Sequence, residues 1–249
     1  HWPETMLSYL QEDKIMFTCD FLGSHLATSD LYVTDKARVY ESAKRYYAEI
    51  MMPFRVTIRK NLEKIQEYKI DVIAPSHGPA YDEPSFIIDA YKDWASERPK
   101  NNVVIPYISM HNSTRLMVER LVNALVVKGV NVEQFDLTVT DIGKVAISLV
   151  DAATIVIGTP TVHVGPHPIV AYATFLVNAL RPKLKYASVI GSYGWAGKAV
   201  EQIAALIPNL KAEVLSPIMI KGMPREADFK AIDGLADTIV QKHAALLKT

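Results

Sequence analysis

At 249 residues the chain has room for two modest domains, and 49% apolar with 22% charged residues is an ordinary globular balance. Its 27 basic and 27 acidic residues cancel, so no global field draws it to nucleic acid or an anionic membrane. The longest apolar stretches, such as Val103 to Met110, are too short to span a bilayer, no secretory pattern opens the chain, and the single Cys19 cannot form an intrachain disulfide; together these point to a reducing cytoplasm.

The chain opens His1-Trp2-Pro3 without methionine, and apolar patterning begins at once. Processing, a split gene or a cloning boundary is expected to have removed what preceded it. Strand-like runs follow at Met6 to Leu10 and Lys14 to Thr18, around the polar turn Gln11-Glu12-Asp13. A helical stretch is predicted from about Asp35 to Tyr68, broken at Pro53. Ile70 to Ala74 reads as a short buried strand that runs into the loop Pro75-Ser76-His77-Gly78-Pro79. Phe86 to Trp94 is a helix candidate. The polar run Ser96 to Asn102, containing Pro99, reads as a linker, which gives a first domain over residues 1–98, a connection over 99–102 and a second domain over 103–249.

From there strand and helix alternate strictly. Strands are predicted at Val103 to Ser109, Val130 to Leu137, Thr154 to Gly158, Tyr186 to Gly191 and Ala212 to Ile220. Helices are predicted at Ser113 to Val127, Asp141 to Val150, Ile169 to Leu180, Ala196 to Leu206 and Glu226 to Leu247. Such βα units demand right-handed crossovers and a parallel sheet covered on both faces, a flavodoxin-like doubly wound α/β domain of five parallel strands. Pro106 conflicts with a central strand, which needs its backbone donors, and suggests a local bulge.

In such a sheet a ligand binds beyond the carboxyl ends of the strands, and three unusual loops fall there. Ser109-Met110-His111-Asn112-Ser113-Thr114 offers hydroxyls and free backbone N–H groups at a helix start, a phosphate cradle without Lys or Arg; the plainer reading is a helix cap. The second loop is Thr159-Pro160-Thr161-Val162-His163-Val164-Gly165. In the third, Gly191-Ser192-Tyr193-Gly194-Trp195-Ala196-Gly197, glycines let backbone approach a flat ring on which an aromatic can stack; otherwise the aromatics merely cover the core. Nearer the start, Asp20, His25 and His77 stand beside loops at strand ends, where a carboxylate and imidazoles can ligate iron, manganese or zinc; their spacing alone specifies no metal.

Ser109-Met110-x-x-Ser113-Thr114, Thr159-Pro160-Thr161 and Ser192-Tyr193-Gly194-Trp195 resemble the three FMN loops of the flavodiiron proteins (A-type flavoproteins), which usually carry Tyr-Gly where this chain has His111-Asn112. Asn112 can adopt the left-handed backbone that the glycine would supply. His1-Trp2-Pro3, Cys19-Asp20-x-x-Gly23-Ser24-His25, Tyr46-Tyr47-Ala48-x-Ile50-Met51-Met52-Pro53-Phe54 and Ala74-Pro75-Ser76-His77-Gly78 are similar to that family's metallo-β-lactamase-like αββα domain, of which only the second half is represented. The resemblance implies that His1 and His77 each bind one iron, that Asp20 bridges the pair, and that His25 lies near the substrate pocket. It further implies an oxidoreductase: electrons from a donor such as rubredoxin or reduced deazaflavin pass through FMN to two irons that reduce O₂ or NO. A head-to-tail homodimer or higher homo-oligomer is expected, in which the flavin of one subunit faces the metals of the other. The family's remaining ligands lie in a His-x-Glu-x-Asp-His motif that this sequence lacks, so the chain is expected to be metal-poor unless another segment supplies them. The rival reading is an FMN-binding electron-transfer module with an inactive metal domain; a hydrolase of the β-lactamase type is disfavoured by the appended flavin loops.

Overall fold

Short apolar runs set the first sheet. In the computed structural model, which describes residues 4–246, β1 (Ser8–Leu10) and β2 (Ile15–Cys19) pair antiparallel, with Ser8 opposite Phe17 and Leu10 opposite Ile15. A helix α1 (Lys36–Tyr46) starts where the Asp35 side chain accepts the Arg38 N–H. It loosens into a π turn (Tyr47–Met51) and a 3₁₀ turn (Met52–Phe54) before α2 (Arg55–Ile65) resumes. Pro53 is the cause: it has no N–H to continue the ladder. β3 (Val72–Pro75) adds parallel to β2, and α3 (Pro84–Ala95) buries Ile87, Tyr91 and Trp94. Tyr47, Tyr91 and Trp94 meet at ring distances of 5.2–5.5 Å, within the range aromatic pairs prefer.

The chain divides into the units His1–Glu97 and Arg98–Thr249. The second contains β4 (Asn102–Tyr107), α4 (Ser113–Val127), β5 (Asn131–Asp136), α5 (Ile142–Leu149), β6 (Thr154–Val162), β7 (Gly165–Pro166) and α6 (Pro168–Leu180). β8 (Tyr186–Tyr193), α7 (Ala199–Leu206), β9 (Glu213–Val214), β10 (Ile218–Lys221) and α8 (Glu226–Leu246) complete it. Five strands lie parallel in the order β10-β8-β6-β4-β5; β7 returns antiparallel beside β6, and β9 flanks β8. Counting the parallel strands along the chain, this is the 2-1-3-4-5 order of a doubly wound sheet. Strand residues alternate between two cores. Val103, Ile105, Val156 and Ile190 pack with Leu121 of α4 and Ile239 of α8, while Val104, Ile155, Ile157 and Val189 pack with Leu149, Val177 and Ile203 on the opposite face. No described helix is long and apolar enough to cross a membrane.

Four local expectations need correction. Pro106 causes no bulge: β4 keeps one register with β6 from Val103↔Thr154 to Tyr107↔Gly158, and only the pairings between them are missing. Because Ile108 N–H donates to Gly158 O on the β6 side, the absent N–H of Pro106, two residues earlier, falls on that side too. The third parallel strand does not stop at Gly158; it continues to Val162 and turns back as β7. The expected strand from Ala212 to Ile220 is split into β9 and β10 around Pro217, which cannot donate to a ladder. Finally, α7 starts at Ala199 rather than Ala196.

Two glycines make opposite predictions. A Cβ on Gly191 would lie 1.9 Å from Thr159 O, a backbone atom of the paired strand, whereas one on Gly234, exposed in α8, meets nothing within 4 Å. Gly191→Ala should therefore cost about 1–3 kcal/mol or more through forced strand displacement. Gly234→Ala should add about 0.5–1 kcal/mol by removing helix-interior glycine. Urea unfolding of the two variants measures both signs; a neutral Gly191→Ala would refute the close approach.

Candidate functional site

The first loop occupies the end of β4, a central strand. Asn112 precedes α4 at φ 64° and ψ −13°, the left-handed region, and its side chain makes no cap. The backbone N–H groups of residues 110–114 have no acceptor among the described residues. Five unpaired donors at the start of a 15-residue helix form a positive dipole end, exposed at residues 110–112. The hydroxyls are partly engaged: Ser109 Oγ accepts the Arg115 N–H at 3.1 Å, and Ser113 Oγ lies 2.7 Å from Ser192 Oγ. Thr114 is completely buried, with its hydroxyl 3.5 Å from the same Ser192 oxygen. His111 and Met110 are exposed.

The second and third loops are tied together. β6 reaches β7 through a two-residue turn at His163 (φ 48°) and Val164 (φ 73°), both left-handed. Two positive φ angles suit a type I′ hairpin, but a β-branched residue there is strained. Lys198 N–H donates to Val164 O at 2.6 Å, and Gly197 packs closely on Thr161, where a Cβ would lie 3.1 Å from Oγ1. Thr159 Oγ1 accepts the His167 N–H at 3.0 Å and donates to Pro160 O at 2.9 Å. Thr161 Oγ1 is buried without a partner. It borders a cavity of about 440 Å³ whose wall includes Tyr193, Glu201, Pro217 and Met219. Trp195 is 92% exposed, so it does not cover the core, while Tyr193 is half-buried. Met219 arrives from β10 and Pro217 from the residue just before it, far along the chain, and no local pattern could have named them. Glu201 carries no motif signal either.

In the first unit, Asp20, His25 and His77 do come together. His77 Nε2 lies 3.0 Å from Asp20 Oδ1. The His25 ring stacks on Tyr46 at 4.2 Å and meets the His77 ring edge-on at 4.2 Å. Burial, and then the nearby His77, hold the His25 imidazole below its ordinary value; burial raises the Tyr46 phenol well above its own. Cys19, Leu22 and His25 adopt positive φ, and the loops are stitched by Ser76 N–H to Cys19 O at 2.7 Å and Ser24 N–H to His77 O at 2.9 Å. Gly78, at φ 94°, is doubly required, since a Cβ would fall 2.0 Å from Ser24 Oγ.

The two sites differ in how well they suit their expected groups. Unpaired N–H groups, an orphaned Thr161 hydroxyl beside a cavity and an exposed tryptophan suit a phosphorylated flat ring. Among the described residues, by contrast, no group of three or more His, Cys, Asp or Glu side chains is placed to hold a metal. A carboxylate-bridged iron pair needs more donors than the Asp20–His77 pair gives, so the described residues do not fit it. His1, the third expected ligand, lies outside the described residues.

The family model described as ODP family beta lactamase matches residues 1–78, and the model described as flavodoxin matches residues 105–232. The nitric oxide reductase of Moorella thermoacetica is 34% identical over 237 residues, 92% of this chain and 59% of that protein. The solved rubredoxin oxygen:oxidoreductase of Desulfovibrio gigas superposes with a TM-score of 0.95 at 26% identity, over 100% of this chain and 64% of that one. The flavodiiron protein of Giardia intestinalis gives 0.91 at 27% identity, over 100% and 63%. The chain thus spans less than two thirds of each of these relatives. With a beta-lactamase-like portion followed by a flavodoxin domain, and with these relatives, the chain belongs to the flavodiiron protein family.

Proposed function

We propose that the second unit binds FMN and serves as the flavin-bearing part of a flavodiiron oxidoreductase. The observation that carries this reading is the row of five unpaired N–H groups at residues 110–114, opened by left-handed Asn112. These dipoles would hold the phosphate without a cation from Lys or Arg, and Ser113 and Ser192 would orient toward it as a hydrogen-bonded pair. Thr161 would offer its unpaired hydroxyl to a polar edge of the ring, and Tyr193 or Trp195 would supply stacking area. When bound, FMN would supply the exchange between two-electron and one-electron redox steps.

The wider chemistry rests on the relatives, two of which are named for nitric oxide reduction and for rubredoxin and oxygen. In this reading electrons enter from a rubredoxin-like protein or a reduced deazaflavin, and O₂ or NO is reduced at two irons in a cytoplasmic head-to-tail homodimer or higher homo-oligomer. That holds to the extent that a full ligand set is brought to Asp20 and His77, with His25 beside the substrate. A second reading, an FMN-binding electron-transfer module, is favoured by one specific observation: among the described residues Asp20 and His77 face each other without a third donor of the kind an iron pair demands.

Three measurements test these readings. Flavin-free protein titrated with FMN and riboflavin should prefer FMN by roughly a hundredfold, the worth of a few charge-assisted hydrogen bonds. Equal affinities would end the phosphate-loop reading. Trp195→Ala should weaken quenching of flavin fluorescence yet leave the unfolding midpoint unchanged, because the ring is 92% exposed; unchanged quenching would remove Trp195 from the site. Metal analysis of the 249-residue chain should find flavin with little or no iron. A stoichiometric iron pair would overturn the ligand count and favour the complete oxidoreductase.

A further inference from the structure

We infer that His111 is a phosphate-recognising residue of the flavin loop, whose imidazolium strengthens binding of FMN but not of riboflavin as the pH falls below neutral. The inference rests on the FMN reading above and extends it to pH-dependent retention of the cofactor.

Residues 109–114 read Ser-Met-His-Asn-Ser-Thr, so His111 is the one side chain within this loop able to carry positive charge. It is exposed and sits inside the run of unpaired N–H groups, immediately before left-handed Asn112. Charged groups on the adjoining elements have other partners. On α4, Arg115 Nε holds Glu119 at 2.8 Å. At the end of β5, Asp136 accepts the Thr138 N–H at 2.9 Å and its hydroxyl at 2.6 Å. Tyr107 of β4 stays neutral, its phenol raised by burial and then by Asp136. From β8 the loop is met by Ser192, an uncharged hydroxyl.

Neutral N–H dipoles attract a phosphate equally at any pH, but the phosphate changes. A phosphate monoester loses its second proton near pH 6, so a purely dipolar cradle holds it less well in mild acid. Histidine titrates in the same window with the opposite consequence: it gains charge as the phosphate loses some. An imidazole in this loop would therefore offset the weakening. By linkage, if FMN binds the imidazolium more tightly, FMN must raise the His111 titration point, and riboflavin must not.

The test titrates flavin-free wild type and His111→Gln with FMN and with riboflavin from pH 8.5 to 5.5. The wild-type to His111→Gln ratio of FMN affinities should be close to one at pH 8.5 and rise about five- to tenfold by pH 5.5, as expected for one exposed charge-assisted bond. The same ratio for riboflavin should stay flat. In the wild type alone, the His111 imidazole resonance followed by NMR should titrate at higher pH with FMN than with riboflavin, which needs no variant. An FMN preference over riboflavin with a flat pH ratio and an unmoved resonance would overturn the role of His111 while leaving the FMN reading intact. Equal affinity for the two flavins at every pH would overturn both.

Discussion

Thr159 O lies where a side chain on Gly191 would have to be. This close approach of β6 and β8 lets the parallel ladder run on from Thr154↔Tyr186 to Pro160↔Ser192 without a shift. Each further pair carries the loops after these strands closer to the end of β4, where α4 begins. Ser192 can then reach Ser113 across 79 residues of sequence at 2.7 Å. The proposed flavin site is thus a consequence of strand register, and a one-residue slip would turn every side chain at the strand ends to the other face.

Most of this doubly wound architecture was legible in the sequence because its signals are local. Helical spacing in residues 113–127 and 226–246, and apolar runs such as Val103–Ile105, each have one reading on the scale of a few turns. Asn112 was legible for the same reason, since asparagine tolerates left-handed backbone and the helix starts next to it. The hairpin at residues 161–166 was not. Thr-Val-His-Val-Gly-Pro contains no residue pair that favours a I′ turn, and Val164 at φ 73° contradicts its own preference. Tertiary contacts decide there: the Val164 carbonyl is claimed by Lys198, and Gly165 is pressed against Gln202.

The expected metal half-site shows a different limit. The sequence located Asp20, His25 and His77, and these do gather, with Tyr46 stacked on His25 as an addition that no spacing could reveal. What sequence cannot convey is whether a set of donors is complete, because ligands are contributed from distant segments and their number follows from the metal. The described residues give a carboxylate and imidazoles already in contact with one another. Without a cation between them, that contact is an ordinary ion pair or hydrogen bond with His77 43% exposed, the kind worth little to stability.

Backbone strain links the two sites. Of the eight described non-glycine residues with positive φ, Cys19, Leu22 and His25 flank Asp20, while Asn112, His163 and Val164 lie in the proposed flavin loops. Such conformations cost on the order of 1–3 kcal/mol each and persist only where surroundings over-determine them. In the flavodoxin domain the surroundings are visible: the N–H of Lys198 on Val164 O and the start of α4 after Asn112. In the first unit they are Ser24 seated over Gly78, the Ser76 N–H on Cys19 O, and the Gly23 N–H on Asp20 O at 3.2 Å. The loops around Asp20 and His77 are held by this backbone pairing and glycine packing together with the His77–Asp20 contact and the stack of His25 on Tyr46. Asp20 and His77 are placed by the polypeptide's own contacts, and among the described residues no group of three or more His, Cys, Asp or Glu side chains joins them to hold a metal.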